Sequence, residues 1–187
     1  MNRWSGKGVF RFLMIGLLAA GGFIASASGA QAHGLGFHIA NGTGEHSHQQ
    51  IGFSWDTAVA EDQPFNYRLN LGYEKFALDR NDGGRDNFSG WILENTFGYR
   101  ILANNNLRFW GGPQVVTGLY ENDFGLGAGL ALGINLHLSG VTSLGITAGV
   151  RRSDYSSIMG RDHMENIGYL RFDFFLRTPG DRFRGWK

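Results

Sequence analysis

The sequence contains no cysteine, which removes both a disulfide framework and thiolate metal sites. Proline is scarce, at three in 187 residues, so little of the chain is barred from regular backbone pairing. An excess of charge is missing too. Lys and Arg exceed Asp and Glu by one, and no basic stripe offers the footprint that nucleic acid requires. Past the N-terminal segment, no apolar run reaches the roughly 18 residues of a spanning helix. A chain that crosses a membrane without such a run must do so with strands.

The N-terminal segment reads as an export address. Arg3, Lys7 and Arg11 form a basic region, Phe12 to Ala25 an apolar core, and Ala30-Gln31-Ala32 an A-x-A cleavage site. The apolar core is short and interrupted by Gly16, Gly21 and Gly22, which favours a cleaved signal over a retained helix. Residues 1–32 are therefore expected to be removed, leaving 155 residues that begin at His33. The leader takes three cations and no acids with it. What remains holds 14 Lys and Arg against 16 Asp and Glu, a formal charge of −2, and a single domain is the natural count at that length.

The remaining chain is rich in glycine and aromatic residues, and its apolar residues alternate. From Phe124 to Leu138 every second residue is apolar, through Leu126, Ala128, Leu130, Leu132, Ile134 and Leu136. Between them stand Gly125, Gly127, Gly129, Ala131, Gly133, Asn135 and His137. A helix would scatter both sets, whereas a strand sorts them onto opposite faces. Tyr67, Leu69, Leu71 and Tyr73 repeat the pattern, as do Ile51, Phe53 and Trp55. So do Leu144, Ile146, Ala148 and Val150, and Leu170, Phe172, Phe174 and Leu176. One face is uniformly apolar and the other is small or polar, the signature of a wall with lipid outside and a narrow polar lumen.

Eight such segments are expected, at 34–41, 48–58, 65–78, 88–103, 106–121, 123–139, 141–156 and 163–177. The fold class predicted is all-β: an eight-stranded antiparallel transmembrane β-barrel, an up-and-down meander over 33–177, with 178–187 as a periplasmic C-terminal tail. An even strand number puts both termini on one side, which in the bacterial outer membrane is the periplasm. Outer loops are then expected to be longer than periplasmic turns, with Asn41–His48 and Asp79–Asn87 as the clearest cases. Aromatics near strand ends (Trp55, Tyr67, Tyr99 and Phe109 on one side, Tyr73, Trp91 and Phe124 on the other) fit interfacial girdles.

The inward parity collects Asp56, Arg68, Glu74, Glu94, Arg100, Arg108, Arg151, Glu165, Arg171 and Asp173, together with His38 and His137. An eight-stranded barrel is only wide enough for its own side chains. Five arginines facing five acids therefore predict a paired network that plugs the lumen, because buried unpaired charge is prohibitive. A proton or small-ion path is the alternative use of the same residues.

Few residues suggest chemistry. Glu45, His46 and His48 form an E-H-x-H string of the kind imidazole-binding metals use, set against an ordinary solvated loop. Ser156, His163 and Glu165 offer a nucleophile, a base and an orienting acid, set against ordinary loop composition. The Gly-rich run of 125–133 keeps strand parity and lacks Gly-x-Gly-x-x-Gly spacing, so it is no nucleotide fingerprint. Lys75 and Arg152 share the lipid-facing parity near the outer rim, where they suit either lipopolysaccharide phosphates or simple snorkelling. No cofactor and no bound metal are expected.

Signal peptide, eight strands and Gly–aromatic alternation make the chain similar to small outer-membrane barrels of the OmpX, OmpW and PagP-like groups. The segment Ala148-Gly149-Val150-Arg151-Arg152-Ser153-Asp154-Tyr155-Ser156 also resembles the penultimate strand of the lipid A 3-O-deacylase (PagL-like) family. That resemblance implies a lipid-facing His-x-Ser pair, and this chain has Arg152-x-Asp154 in its place. The expectation is a non-enzymatic barrel in a structural or surface-interaction role, with a lipid A hydrolase or a narrow solute channel as alternatives. Its expected partners are outer-membrane lipid, lipopolysaccharide and, during biogenesis, the barrel-assembly machinery, with no nucleic acid.

Overall fold

In the computed structural model, residues 32–58, 65–79, 85–103, 107–120, 123–139, 141–159 and 162–177 are described. Residues 1–31 of the expected leader and the expected tail at 178–187 lie outside them. The strands are β1 (Ala32–Thr43), β2 (Ser47–Ala58), β3 (Phe65–Asp79) and β4 (Arg85–Ala103). They continue as β5 (Leu107–Tyr120), β6 (Asp123–His137), β7 (Thr142–Asp154) and β8 (Met164–Arg177). A single helical turn, α1 (Ser156–Met159), precedes β8.

Each strand pairs antiparallel with its sequence neighbour, and β1 pairs with β8, so the sheet closes on itself as an up-and-down barrel. Closure leaves no free edge, which is how an antiparallel sheet avoids exposing unpaired backbone groups. The start of β1 and the end of β8 mark one end of the cylinder, called proximal below. The opposite, distal end carries the β1–β2, β3–β4, β5–β6 and β7–β8 links.

The alternation in the sequence becomes inside and outside. On β6, Leu126, Leu130, Leu132, Ile134 and Leu136 are exposed while Ala131 and Asn135 are buried. Leu35, Phe37, Ile39, Ile51, Phe53, Val150 and Leu176 continue an apolar outer band around the barrel. Inside lie Arg68, Glu74, Glu94, Arg171 and Asp173, each no more than 2 % exposed. This inverts a water-soluble protein, in which large apolar side chains are inside and charges outside.

Two local features interrupt the regularity. Pro113 has no N–H to give, and the β4–β5 pairing passes from Thr96–Gln114 to Tyr99–Gly111 before continuing in the same register. A β-bulge then follows between Arg100 and Leu102. An extra residue in one strand re-aims the side chains around it: Ile101 and Leu102 are both exposed, and Arg100 is only half-buried. Arg100 therefore departs from the fully enclosed position that strand parity assigns it. His137, at the proximal end of β6, is likewise only half-buried.

Loop lengths also differ from expectation. β1 runs to Thr43 and β2 begins at Ser47, so the expected Asn41–His48 loop is mostly strand. The β3–β4 link spans only 80–84, shorter than the proximal link at 59–64. Distal links are thus not uniformly longer than proximal ones. Strand extension past the apolar band consumed the residues that sequence patterning left to loops.

Candidate functional site

The interior is filled in layers. The proximal layer centres on Arg68, which donates to Asp56 (2.9 Å), Thr147 (3.0 Å), Asn135 (3.1 Å) and Asp173 (3.2 Å). Its guanidinium lies 4.5 Å from the Trp110 ring centroid and 5.0 Å from that of Phe175. Arg108 also donates to Asp56. Ser54 donates to Asp173 at 2.8 Å, so its oxygen is left to accept from His38 Nδ1, also at 2.8 Å.

In the middle layer Glu94 receives Arg171, Arg151 (3.0 Å) and Asn70 (3.3 Å). Arg151 bridges onward to Glu74, which also accepts from Tyr120. Each guanidinium keeps its proton at any pH a protein meets. Arg151 stands as a fixed cation between Glu74 and Glu94, and Arg171 holds Glu94 from another side. Two cavities in the distal half, one beside Gln50 and Glu74 and one beside Tyr120 and Ser153, measure about 10 Å³ each. That is room for about one water molecule.

Above this layer the interior turns apolar. Phe76, Ile92, Val116, Tyr120, Tyr155 and Ile167 form a buried cluster, against which Phe88 and Ile158 of α1 pack. Phe76 is the hub, 4.9 Å from Tyr155, 5.4 Å from Tyr120 and 5.0 Å from the stacked ring of His48. Sequence reasoning missed this seal. Phe76 and Tyr120 obey inward parity, but only the barrel's curvature shows that they meet across the lumen.

The fifth acid, Glu165, lies at the distal mouth and is answered by histidines rather than by arginine. Its Oε1 accepts from the His46 backbone N–H (2.8 Å) and lies 3.2 Å from His48 Nε2; its Oε2 lies 3.1 Å from His46 Nδ1. Gly44 makes this approach possible. A Cβ there would come within 2.6 Å of Glu165 Oε1 and 2.5 Å of the Asn166 carbonyl. His48 turns inward toward Glu165 and Glu74, so it does not join Glu45 and His46. Instead, among the described residues, Glu45, His46 and His163 have potential ligand atoms within 4.8 Å of one another.

The expected catalytic set is not assembled as a triad. The Ser156 hydroxyl donates to Asp154 and accepts from the His163 backbone N–H at 2.9 Å. Its contacts are to a carboxylate and to backbone, and the imidazole base of the expected triad is not in contact with it. His163 Nε2 lies 4.0 Å from Glu165. Arg152 is exposed on β7 and Lys75 on β3. With eight strands in a ring, those two cations stand on opposite sides of the barrel and cannot hold one phosphate between them.

Strand order and layered interior define a closed, eight-stranded antiparallel meander barrel, apolar outside and polar within. No family model matches the sequence, and no curated protein matches it. Solved structures similar to it include Neisserial surface protein A, at 10 % identity over 80 % of this chain and 97 % of that one, with a TM-score of 0.49. The outer membrane protein OprG from Pseudomonas aeruginosa is similar at 8 % identity over 79 % and 95 %, with a TM-score of 0.49. Ail, the attachment invasion locus protein of Yersinia pestis, is similar at 11 % identity over 79 % and 97 %, with a TM-score of 0.45.

Proposed function

We propose that the protein is a non-conducting barrel of the bacterial outer membrane that works as a rigid mount for its distal rim, in a structural or surface-interaction role. The observation that carries this reading is the pairing of an apolar outer band with a lumen filled by ion pairs. Only lipid makes such an exterior favourable, and only paired charges make such an interior tolerable. Both termini then face the periplasm, and the distal links face outward.

Channel activity is tested directly in planar bilayers, where the reconstituted barrel is expected to give no conductance steps at high salt. Reproducible steps would sink the reading, which rests on the aromatic seal and the ion pairs blocking the lumen. Lys75 and Arg152, exposed on opposite flanks, suit separate contacts with lipopolysaccharide phosphates, each a charge-assisted bond.

The hydrolase alternative receives no support from Ser156, whose hydroxyl is committed to Asp154 and the His163 backbone. Lipid A from cells with and without the gene should therefore show the same acyl chains by mass spectrometry. A species lacking one acyl chain only when the protein is present would reverse the assignment.

A further inference from the structure

The distal end of the β1–β8 seam carries a cluster that the proposed role leaves unused. Glu45 and His46 sit in the short β1–β2 link, and His163 stands immediately before β8. In sequence the two histidines are far apart. Barrel closure, through the pairing of Thr43 with Gly168, brings them into one rim.

We infer that Glu45, His46 and His163 form a binding site for a divalent transition-metal ion of the zinc class, clasping the two ends of the barrel wall together at the seam. Two imidazoles and one carboxylate are a donor set that suits zinc, with a fourth position open to water. The potential ligand atoms lie within 4.8 Å of one another. A tetrahedral ion at zinc's usual bond lengths holds its ligands roughly 3.4 Å apart, so side-chain rotations of about an ångström complete the site.

Each histidine is already oriented. The Nδ1 of His46 is engaged by Glu165 at 3.1 Å, and its backbone N–H is held by the same carboxylate. That arrangement leaves Nε2 as the ring nitrogen free to bind, and a carboxylate behind a metal-bound imidazole is the usual means of fixing its tautomer. His163 is pinned through its main chain, with its N–H to Ser156 Oγ at 2.9 Å and its carbonyl accepting from the Tyr155 N–H at 2.9 Å. Its Nε2 is buried without a hydrogen-bond partner, the Glu165 carboxylate lying 4.0 Å away, which is beyond hydrogen-bond reach. The rings tilt at 56° with centroids 5.9 Å apart, which lets both face a common point without stacking. Glu45 is exposed at the rim and closes the set from the solvent side.

The test uses the untagged full-length barrel in detergent, titrated calorimetrically with Zn²⁺ alone and, for comparison, with Ca²⁺. One saturable zinc per chain is expected, with calcium giving no heat, because imidazole favours the transition metal over the hard cation. His46→Ala and His163→Ala should each weaken zinc binding at least about tenfold, while His137→Ala at the opposite end leaves it unchanged. Zinc bound equally well by a His46→Ala/His163→Ala double variant, or no saturable binding by the natural chain, would overturn the inference. Heat-modifiable gel mobility verifies that each variant is folded. Should one not fold, X-ray absorption of zinc on the natural protein decides the matter, since the site requires two imidazoles, and one or none would refute it.

Discussion

Arg68→Leu is expected to destabilise the barrel by about 3–5 kcal/mol, the usual consequence of stranding a buried charge. Arg68 is the hub of the proximal layer, with four hydrogen-bond acceptors and two aromatic faces around one guanidinium. Leucine leaves Asp173 with the Ser54 hydroxyl as its remaining hydrogen-bond donor, a buried carboxylate deprived of its ion-pair partner. Arg171→Leu should cost less, about 1–3 kcal/mol, because Glu94 keeps Arg151 and Asn70. Urea titration in detergent micelles, read by the gel mobility of unheated samples, gives both numbers. An Arg68→Leu barrel as resistant as the natural one would show that the layer fills space without contributing stability. The reverse ranking of the two variants would show that the hub is misplaced.

Gly133→Ala should be nearly as damaging, although it adds one methyl group to a strand. A Cβ at Gly133 would meet the Trp110 ring at 2.3 Å, far inside any non-bonded carbon contact. The indole has nowhere to retreat, since it is fully buried, stacks on Arg68 and donates to Asn135 at 3.0 Å. Overpacking of this kind typically costs about 1–3 kcal/mol, and displacing the indole adds the loss of its stacking on Arg68. The decisive comparison is a double-mutant cycle with Trp110→Leu. That variant alone opens a cavity, and combined with Gly133→Ala it should be less destabilised than the two single effects added together. Strict additivity would mean that glycine serves strand curvature and not the indole.

Much of this was legible in the residues because period-two alternation is set by chain geometry and does not depend on partners. Leu126 to Leu136 faced outward because a strand has no other way to sort them. The charges at Asp56, Arg68, Glu94 and Arg171 could be assigned to the interior by the same parity. Local pattern could not supply closure. Glu165 and His46 are 119 positions apart, and only the β1–β8 pairing makes them neighbours, which is why the sequence grouped His46 with His48 instead. Arg100 shows a second limit. It borders a bulge that inserts one residue between it and Leu102, and nothing in the strand's alternation marks that insertion. The aromatic seal shows a third, since Phe76, Tyr120 and Tyr155 come from three different strand ends and become one object only in cross-section.

The layered ion pairs also constrain the order of events as the protein forms. Arg68 on β3 needs Asp173 on β8, 105 residues away, while Arg151 needs Glu74 and Arg171 needs Glu94, each 77 residues away. The β2–β3 hairpin holds the Arg68–Asp56 pair, but Arg151 on β7 and Arg171 on β8 find their carboxylates on β3 and β4, so a half-built sheet presents bare guanidiniums and carboxylates on its concave side. Such a sheet cannot be left in hydrocarbon, where each unmatched charge is worth several kcal/mol. The chain must curl while that side is still wet, and the last strand must reach the first before water is expelled. The interior thus acts as a proofreading device, tolerating the membrane only around a finished cylinder.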